Sequence, residues 1–197
     1  MSTEVSRKLV HLIALLIPIL YYIIPRRELS ILLLGLFTLG FILIDYIRLH
    51  VGSIKRLFLL LFGQLLRRKE LYTLTGGSYL LLASFVAIII FPNRGVFIAA
   101  ISFLVIGDTL AALFGLRFGR TRLFKKTLAG TIACLVSCLI ISYIVYKLPN
   151  TNFPLIAGII GSIVASIVEA LPININDNVV IPISSGAIMQ IITILIK

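Results

Sequence analysis

The chain has 197 residues, of which 60% are hydrophobic and 13% charged, and its mean hydropathy is +1.15. Soluble domains carry about 25% charged residues, so this composition excludes an ordinary soluble protein and predicts an integral membrane protein whose length is spent on repeated spans and short loops. The formal net charge of +11 lies in short loops beside apolar runs, which argues for anionic membrane lipids and nucleotide phosphates as partners and against nucleic acid.

Windows of helix-spanning size pick out seven apolar segments, at residues 9–24, 29–44, 71–91, 96–116, 128–146, 153–168 and 179–196. The expected fold is an all-α, polytopic bundle of about seven transmembrane helices, forming a single catalytic domain over residues 1–197. Three segments have about 16 residues, or roughly 24 Å of helix against a hydrocarbon core of about 30 Å, so flanking Arg and Lys must extend them. Arg7 and Lys8 ahead of the first segment resemble the start of a signal peptide. Only Pro25, Arg26 and Arg27 follow it, with no small-residue cleavage site, so it reads as a span. Residues 57–66, flanked by Lys55, Arg56, Arg67, Arg68 and Lys69, are too few to span and read as an interfacial helix, with a re-entrant segment as the alternative.

On this seven-span map thirteen Lys and Arg fall on one side and five (Arg26, Arg27, Arg94, Lys147 and Lys197) on the other. The basic side is expected to be cytoplasmic, with the N-terminus inside. Glu4, Asp45, Glu70, Asp108, Glu169 and Asp177 share that side, and only Glu28 lies opposite. Nearly all ionisable groups therefore converge on one face.

Along the chain, the first polar cluster is Arg7, Lys8 and His11, whose spacings of four and three bring all three to one side of a helix at the entrance to the bundle. Asp45 and Arg48, three apart at the close of the second segment, are either a local ion pair or a support for a site. The strongest signal is Asp108, a carboxylate well inside the fourth apolar run, because an acid there costs several kcal/mol unless cations, hydrogen bonds or water answer it. The stretch GDTLAALFGLRFGRTRLFKKTLAGT, from Gly107 to Thr131, adds Ala112, Gly115 and Gly119 at helical spacing and five cations. Carboxylate oxygens, close-approaching glycines and ammonium or guanidinium groups are what a magnesium and phosphate site needs. In the sixth segment Ala157, Gly161, Ala165 and Glu169 recur every fourth residue, a small-residue stripe that delivers Glu169 into the bundle. Beyond it come Asn174, Asn176, Asp177 and Asn178, which read either as a solvated turn or as part of the same site. Cys134 and Cys138, four apart in one apolar run, read as small packing residues. No GxxxxGK[ST] loop, protein-kinase motif set or GxSxG elbow is present.

RKLVH near the N-terminus, GDTLAALFGLRFGR followed by KKTLAGT, and VEALP followed by DNVVIP, in this order, resemble the polytopic CTP-dependent lipid kinases: dolichol kinase, phytol kinase and the CTP-dependent diacylglycerol kinase. The resemblance covers most of the chain. It implies transfer of the CTP gamma-phosphate to a membrane lipid alcohol, with a divalent metal, taken as magnesium, at the cytoplasmic face. Its motif positions here are Gly107, Asp108, Ala112, Gly115, Gly119, Lys125, Lys126, Thr127 and Gly130, then Glu169, Asp177, Asn178 and Pro182. Ala129 stands where the related motif often has Glu, which bears on metal number and nucleotide preference.

Phosphoryl transfer needs in-line positioning and neutralised triphosphate charge. Asp108 and Asp177 are accordingly expected to hold magnesium, with Asn178 or Glu169 completing its shell, and Lys125, Lys126 and Arg120 to grip phosphates. A carboxylate among Asp108, Glu169 and Asp177 would accept the alcohol proton. Two alternatives stand beside this reading. A CTP:phosphatidate-type cytidylyltransferase shares a similar central stretch but usually ends in a Gly-rich, Asp-rich signature, where this chain has NINDNVVIP. A proton- or cation-coupled transporter should place acids along a path through the bilayer and often carries an inverted repeat.

Overall fold

The computed structural model describes residues 2–124, 126–173 and 175–196, with side chains from residue 5 onward. Lys125 and Asn174 lie outside the described residues. The seven apolar segments all fold as helices, and five are long and apolar enough to cross a membrane: Val5–Ile23, Arg27–His50, Arg94–Phe118, Leu128–Lys147 and Asp177–Leu195. Gly76–Ile90 and Leu155–Ala170 are shorter apolar helices.

The first rod comprises α1 (Ser2–His11), a 3₁₀ turn at Leu12–Leu15 and α2 (Leu16–Ile23). The tightening precedes Pro18, which has no N–H to give the Ala14 carbonyl. Helix α3 (Arg27–His50) runs 24 residues, longer than the segment at 29–44, because Asp45 and Arg48 are satisfied inside the fold and need not end the helix. Helix α4 (Gly52–Phe62) has 11 residues, roughly 16 Å, too short to cross, and exposes Leu57, Leu60, Leu61 and Phe62.

The third segment begins later than residue 71. Leu71 closes a 3₁₀ turn (Arg68–Leu71), and α5 (Gly76–Ile90) starts where Thr75 Oγ1 accepts from Ser78 N at 3.3 Å. The next rod is α6 (Arg94–Ser102), a π-helical turn (Phe103–Gly107) and α7 (Asp108–Phe118). A two-stranded antiparallel hairpin, β1 (Arg122–Leu123) and β2 (Lys126–Thr127), then leads into α8 (Leu128–Lys147). Helices α9 (Leu155–Ala170) and α10 (Asp177–Leu195) complete the bundle.

The α6–α7 rod is the axis of the fold, with Phe97, Ile101, Phe103, Leu104 and Val105 fully buried. It is surrounded by α2, α8, α9 and α10, while α5 bridges α10 to α3. The outer faces of the first rod, α3 and α8 carry exposed Leu and Ile, which suits lipid as the surrounding medium. Helices α8 and α9 approach closely through Gly158, whose added Cβ would lie 2.7 Å from Ser142 Cβ, and through a 2.9 Å hydroxyl pair between Ser142 and Ser162. At the end of the bundle away from Asp108, Arg94 donates to the Ile24 and Pro25 carbonyls, and Arg27 to those of Ile88 and Ile89. These arginines cap helix ends that have run out of N–H partners.

Candidate active site

Asp108 is the first residue after the π turn, a local widening that α-helices often carry at functional sites. It is 7% exposed, and Lys8 of α1 donates to its Oδ2 in a buried ion pair. A second group forms where three other elements end. Lys126 of β2 donates to Glu169 Oε1 at 2.9 Å and lies 3.7 Å from Asp177 Oδ2. Glu169 closes α9 and is 2% exposed; Asp177 opens α10, where Asn176 caps the helix.

The charge of Asp108 also acts on Lys126. Burial works against the Lys126 ammonium, yet Glu169, Asp108 and Asp177 together hold its pKa above the ordinary lysine value. The hairpin presents Lys126 to them through a turn at Phe124, whose φ of 54° is left-handed, a conformation that costs a bulky residue about 1–2 kcal/mol. Glu169 Oε2 is buried with no hydrogen-bond partner among the described residues, so this carboxylate has an oxygen to offer.

A cavity of about 770 Å³ reaches Asp108 from the side of α1–α3 and α5. Its polar end is formed by Arg7, Lys8, His11, Arg67, Glu70, Asp108 and Asn178. Its body is apolar, running past Leu16, Leu20, Phe37, Phe41 and Leu80 toward Tyr21 and Phe97, which stack edge to face at 4.6 Å. A charged end on a long apolar trough is the shape of an amphipathic lipid.

Asp45 and Arg48 form an ion pair at 2.5 Å, both about 1% exposed. Asp45 Oδ2 also accepts from Thr75 N at 2.7 Å, Thr75 Oγ1 at 3.1 Å and Ser78 Oγ at 2.5 Å. Arg48 donates to the Glu70 and Thr73 carbonyls, each at 2.9 Å. Glu70, which the sequence reading did not single out, accepts from Arg67 N at 2.8 Å and Gly76 N at 3.0 Å. Of the two readings left open for Asp45 and Arg48, the pair is a clasp that fixes the start of α5 beside the cavity. Asn178 joins this clasp by donating to Gly76 O at 2.7 Å.

The glycines of the central motif meet protein. An added Cβ at Gly107 would lie 3.0 Å from Cys138 Sγ and 3.1 Å from Cys134 Sγ, at Gly115 2.8 Å from Thr127 Oγ1, and at Gly130 2.6 Å from the Ala111 carbonyl. Gly119 likewise abuts Thr127, which caps α8 by accepting from Gly130 N at 3.2 Å. These positions join α7 to α8. Arg120 is exposed after α7 and takes part in none of the ion pairs above. Lys125 lies outside the described residues. Among the described residues no three His, Cys, Asp or Glu side chains are grouped to hold a metal ion by themselves.

Comparison with known proteins gives this arrangement a family. The model of the cytidylyltransferase family matches residues 5–171, and the chain belongs to that family. It is 34% identical to the uncharacterized protein RP860 of Rickettsia prowazekii over 186 residues, covering 92% of this chain and 90% of the relative. It is 29% identical to CTP-dependent diacylglycerol kinase 1 of Eremothecium gossypii, covering 77% of this chain and 55% of that protein. The protein of the same name from Schizosaccharomyces pombe is 26% identical, with 75% of this chain and 74% of that protein covered. No solved structure matches. The resemblance carried by the ordered motifs is thus borne out at the level of the family.

Proposed function

We propose that this protein is a CTP-dependent lipid kinase, transferring the gamma-phosphate of CTP to the hydroxyl of a membrane lipid alcohol such as a polyprenol or dolichol, a phytol-like isoprenoid alcohol or diacylglycerol. The observation that carries this reading is that one buried carboxylate, Asp108, lines a lipid-shaped cavity while its charge also acts on Lys126, the cation that holds Glu169 and Asp177. The cavity gives a lipid a route to Asp108, and Lys126 and Asp177, each about a third exposed, are open to a nucleotide. The kinase names of the Eremothecium and Schizosaccharomyces relatives support the same chemistry. The excess of Lys and Arg at this end supports a cytoplasmic site and an N-terminus inside.

Without ligand, each cation answers a carboxylate: Lys8 holds Asp108, and Lys126 holds Glu169 and Asp177. A triphosphate re-pairs these charges, drawing Lys126, Lys8 and Lys125 toward phosphate oxygens and freeing the carboxylates. The donors are hard oxygens, and magnesium is commonly held by one or two carboxylates plus substrate phosphates, so a three-ligand protein cage is not required. Asp108 and Asp177 would hold it, with the unpartnered Glu169 Oε2 available to its shell. Magnesium, when bound, neutralises charge on the triphosphate. The acceptor oxygen attacks the gamma-phosphorus, the bond to the beta-phosphate oxygen breaks, CDP leaves, and the hydroxyl proton passes to a carboxylate. Asp108 alone of the three lines the cavity, which favours it as that acceptor.

The family's description as cytidylyltransferase supports a second reading, transfer of CMP, for which phosphatidate is the acceptor proposed. Purified protein given gamma- or alpha-labelled CTP, with a panel of lipid alcohols and phosphatidate, separates the two. Lipid labelled from the gamma position alone is the expected result; label from the alpha position establishes the cytidylyltransferase, and label from neither overturns both.

A further inference from the structure

We propose that His11 is the seat of the acceptor hydroxyl, with its ring Nε2–H donating to the alcohol oxygen. This deepens the lipid-kinase reading and rests on it for the identity of the ligand. On the first rod, Arg7, Lys8 and His11 line the polar end of the cavity, and the lining residues that follow are Ile13, Ala14, Leu16, Ile17, Leu20 and Tyr21. His11 therefore stands where the wall changes from charged to apolar. A lipid alcohol changes character at the same point along its own length, at its hydroxyl.

Three neighbouring polar side chains at this end, Lys8, Glu70 and Asn178, are committed within the protein. Lys8 is paired with Asp108, both Glu70 oxygens accept backbone N–H groups, and the Asn178 amide donates to Gly76 O. His11 Nε2 is buried and meets no hydrogen-bond partner among the described residues. A buried ring nitrogen left unpaired is destabilising, and an alcohol entering the cavity supplies the missing partner. With its oxygen fixed by His11, the O–H bond is free to point toward Asp108. Arg7 and Lys8 are charged and suit phosphate; the neutral hydroxyl is better matched by imidazole.

The test uses the full-length protein in nanodiscs and begins without CTP. Wild type should bind geranylgeraniol or dioleoylglycerol more tightly than the matching compound lacking the hydroxyl. In His11→Leu that preference should fall about tenfold, the factor one hydrogen bond is worth at most sites, while His11→Gln, which keeps an N–H donor, should restore much of it. In turnover, His11→Leu should raise KM for the alcohol with KM for CTP unchanged. Wild type showing no preference for either alcohol, or a His11→Leu variant of wild-type melting temperature that keeps the full preference, overturns the proposal. If His11→Leu does not fold, His11→Phe, which keeps a ring of similar size without an N–H, is held to the same two outcomes. Because binding is read without CTP, absence of phosphoryl transfer alongside an intact hydroxyl preference counts against the kinase reading alone.

Discussion

Lys8 and Asp108, a hundred positions apart in sequence, form a buried ion pair that ties the first helix to the central rod at the polar end of the lipid-shaped cavity. The pair is doubly exposed to perturbation. Removing either partner leaves a charge buried without an answer, and removing Asp108 also removes the proposed reactive carboxylate.

Asp108→Asn should abolish phosphoryl transfer and destabilise the fold by about 3–5 kcal/mol, the usual result of breaking a buried pair from one side. The double variant Lys8→Met with Asp108→Leu should recover much of the melting temperature and none of the activity. Full activity in Asp108→Asn would remove the residue from the mechanism.

Lys126→Ala should raise the apparent KM for CTP by roughly 10- to 100-fold, as expected for a lost charge-assisted hydrogen bond of about 1.5–3 kcal/mol, with a smaller effect on KM for the lipid. Steady-state kinetics with each substrate varied in turn separates the two. An unchanged CTP dependence would show that Lys126 does not contact the phosphates.

The same lysine has a pH signature in the ligand-free protein. Its pKa is raised by the carboxylates despite burial, so its contribution is fully present below the ordinary lysine pKa of about 10.4 and is lost as pH climbs through the higher folded value. The melting-temperature gap between wild type and Lys126→Gln should hold from pH 8 to pH 10 and narrow only above that. A gap that closes between pH 8 and 9 contradicts the pairing.

Chelation offers an independent check on the carboxylates. Transfer from gamma-labelled CTP should cease in EDTA and return with added magnesium, and Asp177→Asn should shift the magnesium dependence to higher concentration. Transfer that proceeds undiminished in EDTA rules out a metal role for Asp108 and Asp177.

Arg48→Met should act through stability. With Asp45 left without its cation in a 1% exposed position, the loss should be about 3 kcal/mol, seen as a lower melting temperature, while KM for CTP stays within about threefold, a span of under 1 kcal/mol. A large rise in KM for CTP at unchanged stability would mean that the clasp belongs to the nucleotide site.

Hydropathy made the seven helices legible, because an apolar run long enough to matter in a membrane has few other uses. It also exposed Asp108, an acid among apolar neighbours; Glu169, Asp177 and Lys126, counted to the same side by their loops, do lie together. The features it hid are those made by pairing at a distance. Asp45 and Arg48 read as the polar end of a segment, yet they extend α3 because Thr75, Ser78 and the Glu70 carbonyl answer them. Glu70 looked like one charge in a basic loop and is buried by two backbone donors. The short hairpin and the π turn leave no periodic trace. Gly115 and Gly119 are spaced to let another backbone or a ligand come close; the spacing cannot tell that Thr127 of the chain itself lies against both.

Helix α9 has 16 residues, so from Leu155 to Ala170 it covers only about 24 Å of a hydrocarbon layer near 30 Å deep. If it is anchored at the far surface, Glu169 stops several ångströms short of the near one, and the site is a notch sunk into the leaflet. In the proposed reaction the sugar-phosphate would then descend to the alcohol, and the greasy tail would never have to be lifted into water for its hydroxyl to react.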